Sequence, residues 1–167
     1  MSGMMPVQPT TTTNERPSNG AGRVIYRFLE CTADQYMTRA ITTVTSQTTM
    51  RELQALFEKH DFNSFPVVEE GEMLGIVTKF DFLRAFSFTT GQMVPHYDEL
   101  MRRSVAEMMT EAVVHVEPTA PLTRVLQVMV SLKTRSLPVM VPVRQLVGMI
   151  SREDVMRALK EVTRDAQ

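Results

Sequence analysis

The stretch SFPV at residues 64–67 returns as SLPV at residues 136–139, and GIVTKFD at 75–81 returns as GMISRED at 148–154. Working outward from these two pairs, residues 37–86 align with residues 109–159 when one residue is inserted between the motifs. A repeat of about fifty residues means that the two halves of the chain form similar units. The sequence therefore predicts two copies of one supersecondary unit.

Each copy has the same order of predicted elements, β-α-β-β-α. A β-branched stretch comes first, a helix with one apolar face follows, two short apolar runs form a hairpin, and a second helix closes the unit. In the first copy these elements are residues 41–45, the helix that carries Met50, Leu53, Leu56 and Phe57, residues 65–68 and 73–77, and residues 80–88. In the second copy they are residues 113–116, the helix that carries Leu122, Val125, Leu126 and Met129, residues 137–141 and 146–150, and residues 153–162.

The fold class that follows is α/β (α+β), with tandem β-α-β-β-α repeats related by pseudo-two-fold symmetry. One copy alone would bury too little surface to be stable, so the two copies are expected to cover each other's sheets. The expected segments are a disordered tail at 1–22, a leading helix at 23–35, repeat 1 at 36–88, a connecting segment at 89–107 and repeat 2 at 108–162. A helix of mixed charge is predicted at residues 98–108, at the end of the connecting segment.

Composition restricts the class of protein. Of 167 residues, 43% are hydrophobic, which is enough for a core, and a net charge of −1 gives no large field that would attract nucleic acid. The single cysteine, Cys31, fits a reducing compartment, and no signal peptide or long apolar run is visible, so a cytoplasmic protein without a membrane segment is expected. His60, His96 and His115 lack metal-ligand spacing, so no metal site is predicted.

The candidate functional residues lie where a predicted strand meets a closing helix. Thr78 and Asp81, and at the equivalent place Ser151 and Asp154, form the pattern Ser/Thr-x-x-Asp. This pattern is typical of a capping box, in which the hydroxyl and the carboxylate satisfy backbone N–H groups of the first helical turn. The same placement also suits a nucleotide, because a helix N-terminus attracts phosphate and a carboxylate can accept both hydroxyls of a ribose.

The repeated order of elements and the two paired motifs resemble the cystathionine β-synthase (CBS) domain, and two such domains in tandem resemble a Bateman module. The resemblance implies that each ligand site combines the Ser/Thr-x-x-Asp motif of one repeat with the first strand of the other repeat. The preferred site, site 1, would comprise Ser151, Arg152, Asp154, Ala40, Ile41, Thr42, Asn63 and Ser64. Site 2 would comprise Thr78, Lys79, Asp81, Ala112, Val113, Val114, Arg135 and Ser136. Lys79, Arg135 and Arg152 are the candidates to meet phosphate groups.

The function expected from this resemblance is regulatory and not catalytic. An adenine nucleotide (AMP, ADP or ATP) or S-adenosylmethionine would bind between the repeats and signal to a separate, unidentified protein, with no catalytic cofactor. The alternative is a structural dimerisation module without a ligand, in which both Ser/Thr-x-x-Asp motifs are only helix caps. Asp154→Ala is expected to abolish nucleotide binding at little cost in stability.

A homodimer with two-fold symmetry is also expected, since Bateman modules pair through their closing helices. The closing helix at residues 80–88 is apolar on more than one face, because it carries Phe80, Phe82, Leu83, Phe86 and Phe88. Such a helix needs a second cover, which a second copy of the chain can supply under two-fold symmetry. The alternative is that the helix at 98–108, or the one near residues 23–29, folds back over these phenylalanines inside one chain. If the protein is a dimer, Phe86→Asp is expected to dissociate it more readily than it unfolds the monomer.

Overall fold

The computed structural model describes residues 27–87 and 96–164. Its helices are α1 (Ala33–Tyr36), α2 (Met50–Lys59), α3 (Lys79–Arg84), α4 (Tyr97–Arg102), a 3₁₀ helix (Val105–Glu107), α5 (Leu122–Leu132) and α6 (Arg152–Arg164). Its strands are β1 (Ser64–Glu69), β2 (Glu72–Thr78), β3 (Ser136–Val141) and β4 (Gln145–Ser151). None of the helices within these ranges is both long and apolar enough to cross a membrane.

The two predicted hairpins form, and they form in the same way. Strands β1 and β2 pair antiparallel with Ser64 opposite Thr78, and β3 and β4 pair antiparallel with Ser136 opposite Ser151. The strand register shifts at the same place in each hairpin, between Val67 and Val68 in the first and between Val139 and Met140 in the second. Because the register is the same, each Ser/Thr-x-x-Asp motif starts at the end of a strand beside the residue that opens the partner strand.

The turns of both hairpins use left-handed backbone. Glu70 and Gly71 have φ of 50° and 85°, and Val143 and Arg144 have φ of 65° and 58°. Two consecutive residues with positive φ are typical of the turn whose twist matches that of antiparallel strands. The first hairpin thus turns at Glu70 and Gly71, between the two predicted apolar runs, whereas the second adopts the same turn with the β-branched Val143 at a position that such residues rarely occupy.

The stretch around the start of each repeat, which we call its leading segment, pairs with the sheet of the other repeat. The leading segments contain Thr38 and Thr110. The backbone N–H of Thr38 donates to the carbonyl of Met149 at 2.8 Å, and the N–H of Met149 donates back at 2.9 Å. The equivalent pair, Ile76 and Thr110, exchanges bonds of 3.0 and 2.9 Å. Thus a residue at the start of repeat 1 extends the hairpin of repeat 2, and a residue at the start of repeat 2 extends the hairpin of repeat 1.

The two hydrophobic cores show the same exchange. The core around β3 and β4 contains Cys31 and Ala33 from the segment before repeat 1, and Met37 from its start. The core around β1 and β2 contains Met101 and Val105 from the connection between the repeats, and Met108 from the start of repeat 2. Each packed unit is therefore assembled from two separate stretches of chain, and neither unit coincides with one sequence repeat.

The prediction that each repeat begins with a regular strand is wrong. Residues 41–45 and 113–116 contribute only isolated parallel bridges, between Val44 and Val67 and between Val116 and Val139. The physical reason is that the chain leaves one sheet at Thr38 and joins the other at Val44, so the intervening residues pass from sheet to sheet. We call residues 39–43 and 111–115 the crossing segments.

Two predicted helices are interrupted by contacts with the opposite repeat. The described part of the leading helix is a helical turn at residues 27–29, which breaks before α1, where Thr32 bridges to Pro121. The helix expected at 98–108 divides into α4 and the 3₁₀ helix, because Ser104 bridges to Thr49. The tail at 1–22, residues 23–26 of the leading helix, and Phe88 lie outside the described residues.

Gly75 permits the close approach of Thr110, and this gives a test of the exchange. A Cβ atom on Gly75 would lie 2.6 Å from the Thr110 carbonyl oxygen, so Gly75→Ala has to displace the exchanged segment. We expect it to lower the free energy of unfolding by about 1–3 kcal/mol, measured by urea denaturation. Gly71→Asn is the control, since that position is open and asparagine tolerates its positive φ. Equal stability of the two variants would contradict the exchange as a constraint.

Candidate functional site

Two clefts lie between the repeats. Cleft A, about 520 Å³ in volume, lies between the start of α6 and the first crossing segment. Seven of the eight residues predicted for site 1 line it: Ser151, Asp154, Ala40, Ile41, Thr42, Asn63 and Ser64. The structure thus brings the motif of repeat 2 against the residues that precede Val44, as the resemblance implied. It does so because Thr38 is bonded to β4 and carries the crossing segment past the end of that strand.

Arg152 is the predicted residue that does not line cleft A. Its Nε donates to the Thr134 carbonyl at 2.9 Å and its Nη2 donates to the Lys133 carbonyl at 3.2 Å. The guanidinium therefore binds the left-handed end of α5, where the backbone carbonyls have no helical partners. Arg152 is therefore held away from cleft A in this structure, and its contact with a phosphate in site 1 stays a prediction.

Cleft A also contains residues that the sequence did not indicate. Phe62 is 43% exposed, and its ring stacks on that of His60 with centroids 5.1 Å apart. The other additional residues are Thr38, Asp61, Pro66, Arg135, Ser136, Met149 and Glu153. Phe62 occupies the turn just before β1, and its place two residues before the Ser-x-Pro motif was the available signal. The cleft combines an aromatic wall with carboxylates at its rim.

The Asp154 carboxylate is a complete helix cap. Its Oδ2 accepts from the backbone N–H and from the hydroxyl of Ser151, both at 2.8 Å, while the Asp154 N–H donates to that hydroxyl at 3.2 Å. Its Oδ1 pairs with Arg157 Nη2 at 2.9 Å, and the side chain is 7% exposed. A carboxylate has about four acceptor positions, so these contacts leave room for a further donor from the cleft.

Cleft B, about 530 Å³ in volume, is the equivalent space on the other side of the pseudo-two-fold axis. Seven of the eight residues predicted for site 2 line it: Thr78, Lys79, Ala112, Val113, Val114, Arg135 and Ser136. Asp81 does not. Its carboxylate makes the same cap with Thr78, at 3.0 Å to the N–H and 2.6 Å to the hydroxyl, and pairs with Arg84 at 3.1 Å. The structure therefore gives Asp81 a capping role, and its membership of site 2 stays a prediction.

The two clefts meet at the pseudo-two-fold axis. Asn63 and Arg135 occupy equivalent positions in the repeats, both line both clefts, and Arg135 Nη1 donates to Asn63 Oδ1 at 3.2 Å. Their backbone carbonyls accept from the N–H groups that begin the closing helices, those of Lys79 and Arg152, each at 3.0 Å. This junction fixes the start of each closing helix beside the turn that precedes the first hairpin strand.

Metal sites and nucleophilic sites have usual requirements with which the described residues can be compared. Within residues 27–87 and 96–164, no group of three or more His, Cys, Asp and Glu side chains could hold a metal ion. Neither cleft is lined by a cysteine or a histidine of those ranges. What the clefts offer is hydroxyl, amide, charged and apolar groups, which are the components of a binding site.

A model of the CBS domain family matches residues 33–87 and 105–161, which is more than half of the chain. The chain therefore belongs to the CBS domain family and carries the domain in tandem. An uncharacterised protein of Methanocaldococcus jannaschii is 32% identical over 129 residues, a match that covers 77% of this chain and 44% of the relative. The chain thus spans less than half the length of that relative.

Solved structures of CBS domain pairs have the same fold. The CBS domain pair of protein MJ0100, in complex with 5′-methylthioadenosine and S-adenosyl-L-methionine, matches with a TM-score of 0.64 at 23% identity, over 78% of this chain and 97% of that chain. The structure of CBSX2 in complex with AMP matches with a TM-score of 0.67 at 21% identity, again over 78% and 97%. The predicted fold class is confirmed by these likenesses.

The burial of both aspartates changes the expected cost of removing them. Asp154→Ala removes a cap and leaves Arg157 and two donors of Ser151 without their partner, so the small cost expected from sequence becomes about 1–3 kcal/mol. Asp81→Ala, which has the same contacts, should cost as much. Urea unfolding of both variants checks this, and a loss of less than about 0.5 kcal/mol for either would contradict the buried cap.

Proposed function

We propose that the protein is a non-catalytic regulatory module that binds an adenine nucleotide between its two repeats and signals the bound state to a separate protein. The observation that carries this proposal is the pair of clefts in which a motif hydroxyl meets the crossing segment of the other repeat, with Ser151, Asp154 and Phe62 in cleft A and Thr78 in cleft B. A carboxylate beside a hydroxyl suits a ribose, and an aromatic and aliphatic wall suits a base. The crossing segment offers backbone groups in the same space, because it is not paired as a regular strand.

The exchange of leading segments explains how a ligand could act as a signal. A ligand in cleft A would contact a segment that is bonded to both hairpins, together with the first turn of α6. It would therefore favour whichever arrangement of the two repeats places these groups at the best distance. A ligand shifts such an equilibrium by the difference in its affinities for the two arrangements.

The ligand class is supported by the related structures and by the chemistry of the clefts. The names of the MJ0100 and CBSX2 structures give adenosine derivatives as ligands, 5′-methylthioadenosine and S-adenosyl-L-methionine in one and AMP in the other. The competing function is a structural dimerisation module without a ligand. It is favoured by one specific observation: both aspartates already have complete capping and ion-pair partners.

Thermal melting with AMP, ADP, ATP and S-adenosylmethionine distinguishes these functions. A ligand present at about a hundred times its dissociation constant should stabilise the protein by about 2.7 kcal/mol. We expect at least one of the four to raise the melting temperature, with guanosine monophosphate as the control for nucleotides in general. If none of the four has an effect, the structural function is the correct one.

We further propose that the module is a homodimer that pairs through its closing helices. Phe82 and Phe86 pack against the core around β1 and β2, and the Phe86 ring lies 6.1 Å from that of Tyr97 on α4. Phe80 and Leu83 of α3 remain 72% and 64% exposed. On α6, Met156 and Leu159 are exposed as well. Large apolar side chains at equivalent helices of both repeats suit a self-complementary interface.

The dimer predicts a mass near twice 19.0 kDa in light scattering at micromolar concentration. Leu83→Asp should shift the mass toward that of the monomer without lowering the stability of the monomer, because Leu83 is exposed. Phe86→Asp, the variant proposed from the sequence, becomes the control, because Phe86 packs against the core and its substitution should unfold the chain. Leu83→Asp takes its place as the test of the dimer. A monomer mass for the unaltered protein would rule out this interface.

A further inference from the structure

We propose that the two clefts select adenosine derivatives by the charge of the 5′ substituent. Cleft B takes the phosphate of an adenine nucleotide, and cleft A takes a derivative whose 5′ substituent is neutral or positive. This inference rests on the proposed function, because it assumes that the clefts bind adenosine derivatives. The binding proposal depends on what the two clefts have in common. The present inference depends on the charged residues that differ between them.

Two pairs of equivalent positions give the clefts different charges. Asp61 in cleft A corresponds to Lys133 in cleft B, since the repeats are 72 positions apart in this region. After the inserted residue the offset is 73, and Glu153 in cleft A corresponds to the neutral Phe80 in cleft B. Asn63 and Arg135 also differ in charge, but both residues line both clefts. The repeats therefore share one backbone arrangement, whereas their clefts differ in charge.

Cleft B is positively charged throughout. Lys79, Lys133 and Arg135 line it, and none of its lining residues is acidic. Within the described residues none of these three cations forms an ion pair: Lys79 Nζ lies 5.8 Å from the Phe57 ring centroid, and Arg135 donates to the neutral amide of Asn63. Three cations without counter-charges around one cavity attract a dianionic phosphate and can supply charge-assisted hydrogen bonds to it.

Cleft A has the reverse character. Asp61, Glu153 and Asp154 line it, and its one lining cation, Arg135, lies at the junction with cleft B. Asp61 and Glu153 form no ion pair with any described residue, so the carboxylates that line cleft A outnumber its one cation. A phosphate would be repelled there. A sulfonium or a neutral thioether would not be, and a sulfonium gains from the carboxylates and from the face of Phe62.

AMP and 5′-methylthioadenosine are the matched probes, because they share the adenosine group and differ at the 5′ substituent alone. Isothermal titration of the unaltered protein should give one AMP and one 5′-methylthioadenosine per chain, with neither displacing the other. AMP affinity should fall steeply with added salt, and 5′-methylthioadenosine affinity should not. Competition between the two probes for one site would overturn the inference.

Variants at the equivalent positions test which cleft holds which probe. Lys133→Asn should weaken AMP roughly tenfold and leave 5′-methylthioadenosine unchanged, and asparagine suits the φ of 52° at this position. Lys79→Gln should act in the same direction. Because Asp154 lines cleft A and not cleft B, Asp154→Ala should abolish binding of 5′-methylthioadenosine and retain AMP, which revises the loss of nucleotide binding expected from the sequence. Asp61→Lys should admit a second AMP. Melting curves of each variant confirm that it is folded.

The outcomes separate the two proposals. If neither probe nor S-adenosylmethionine binds, the proposed function fails and this inference fails with it. If AMP binds but Asp154→Ala abolishes its binding and Lys133→Asn and Lys79→Gln leave it unchanged, the proposed function stands and the division of charge is wrong. If AMP binds as expected and 5′-methylthioadenosine does not bind, the assignment of cleft A is overturned.

Discussion

The bonds that join each leading segment to the opposite hairpin are the constraint on which the rest of the structure depends. The pairs Thr38–Met149 and Ile76–Thr110 fix where the chain leaves one sheet, and the bridges at Val44 and Val116 fix where it joins the other. The crossing segments between these points cannot form regular strands, so their backbone groups and side chains stay available. Both clefts exist because these segments pass over the ends of β2 and β4.

The same constraint explains why Asp154 can cap a helix and line a cleft at the same time. The closing helix must begin beside the crossing segment, and a helix that begins there needs a cap. The cap residue is thereby placed at the wall of the cavity. Asp81 has the same hydrogen bonds but does not line cleft B, so a cap at this place does not by itself put the carboxylate into the cleft.

Much of the fold could be predicted from sequence because its elements have short-range signatures. The hairpins followed from apolar runs on either side of turn residues, and α2 and α5 from apolar residues at helical spacing. The crossing segments had no such signature: their β-branched residues indicated a strand, and single bridges leave no periodic pattern. Thr32 and Ser104 interrupt predicted helices through contacts with residues of the opposite repeat, which no local pattern encodes. In the site, the motif residues followed from the resemblance, whereas the true position of Arg152 depended on carbonyls at the end of α5.

The exchanged cores have a consequence for synthesis of the chain. A ribosome releases repeat 1 first, but the core around β1 and β2 requires Met101, Val105 and Met108, which are made later. The core around β3 and β4 extends to Val162 and likewise contains Cys31, Ala33 and Met37, which are made long before Val162. Neither half can finish folding while it is the only part outside the ribosome. The nascent chain must keep an open apolar surface until the second repeat follows, and any delay in translation between the repeats would prolong its exposure to aggregation and to chaperones.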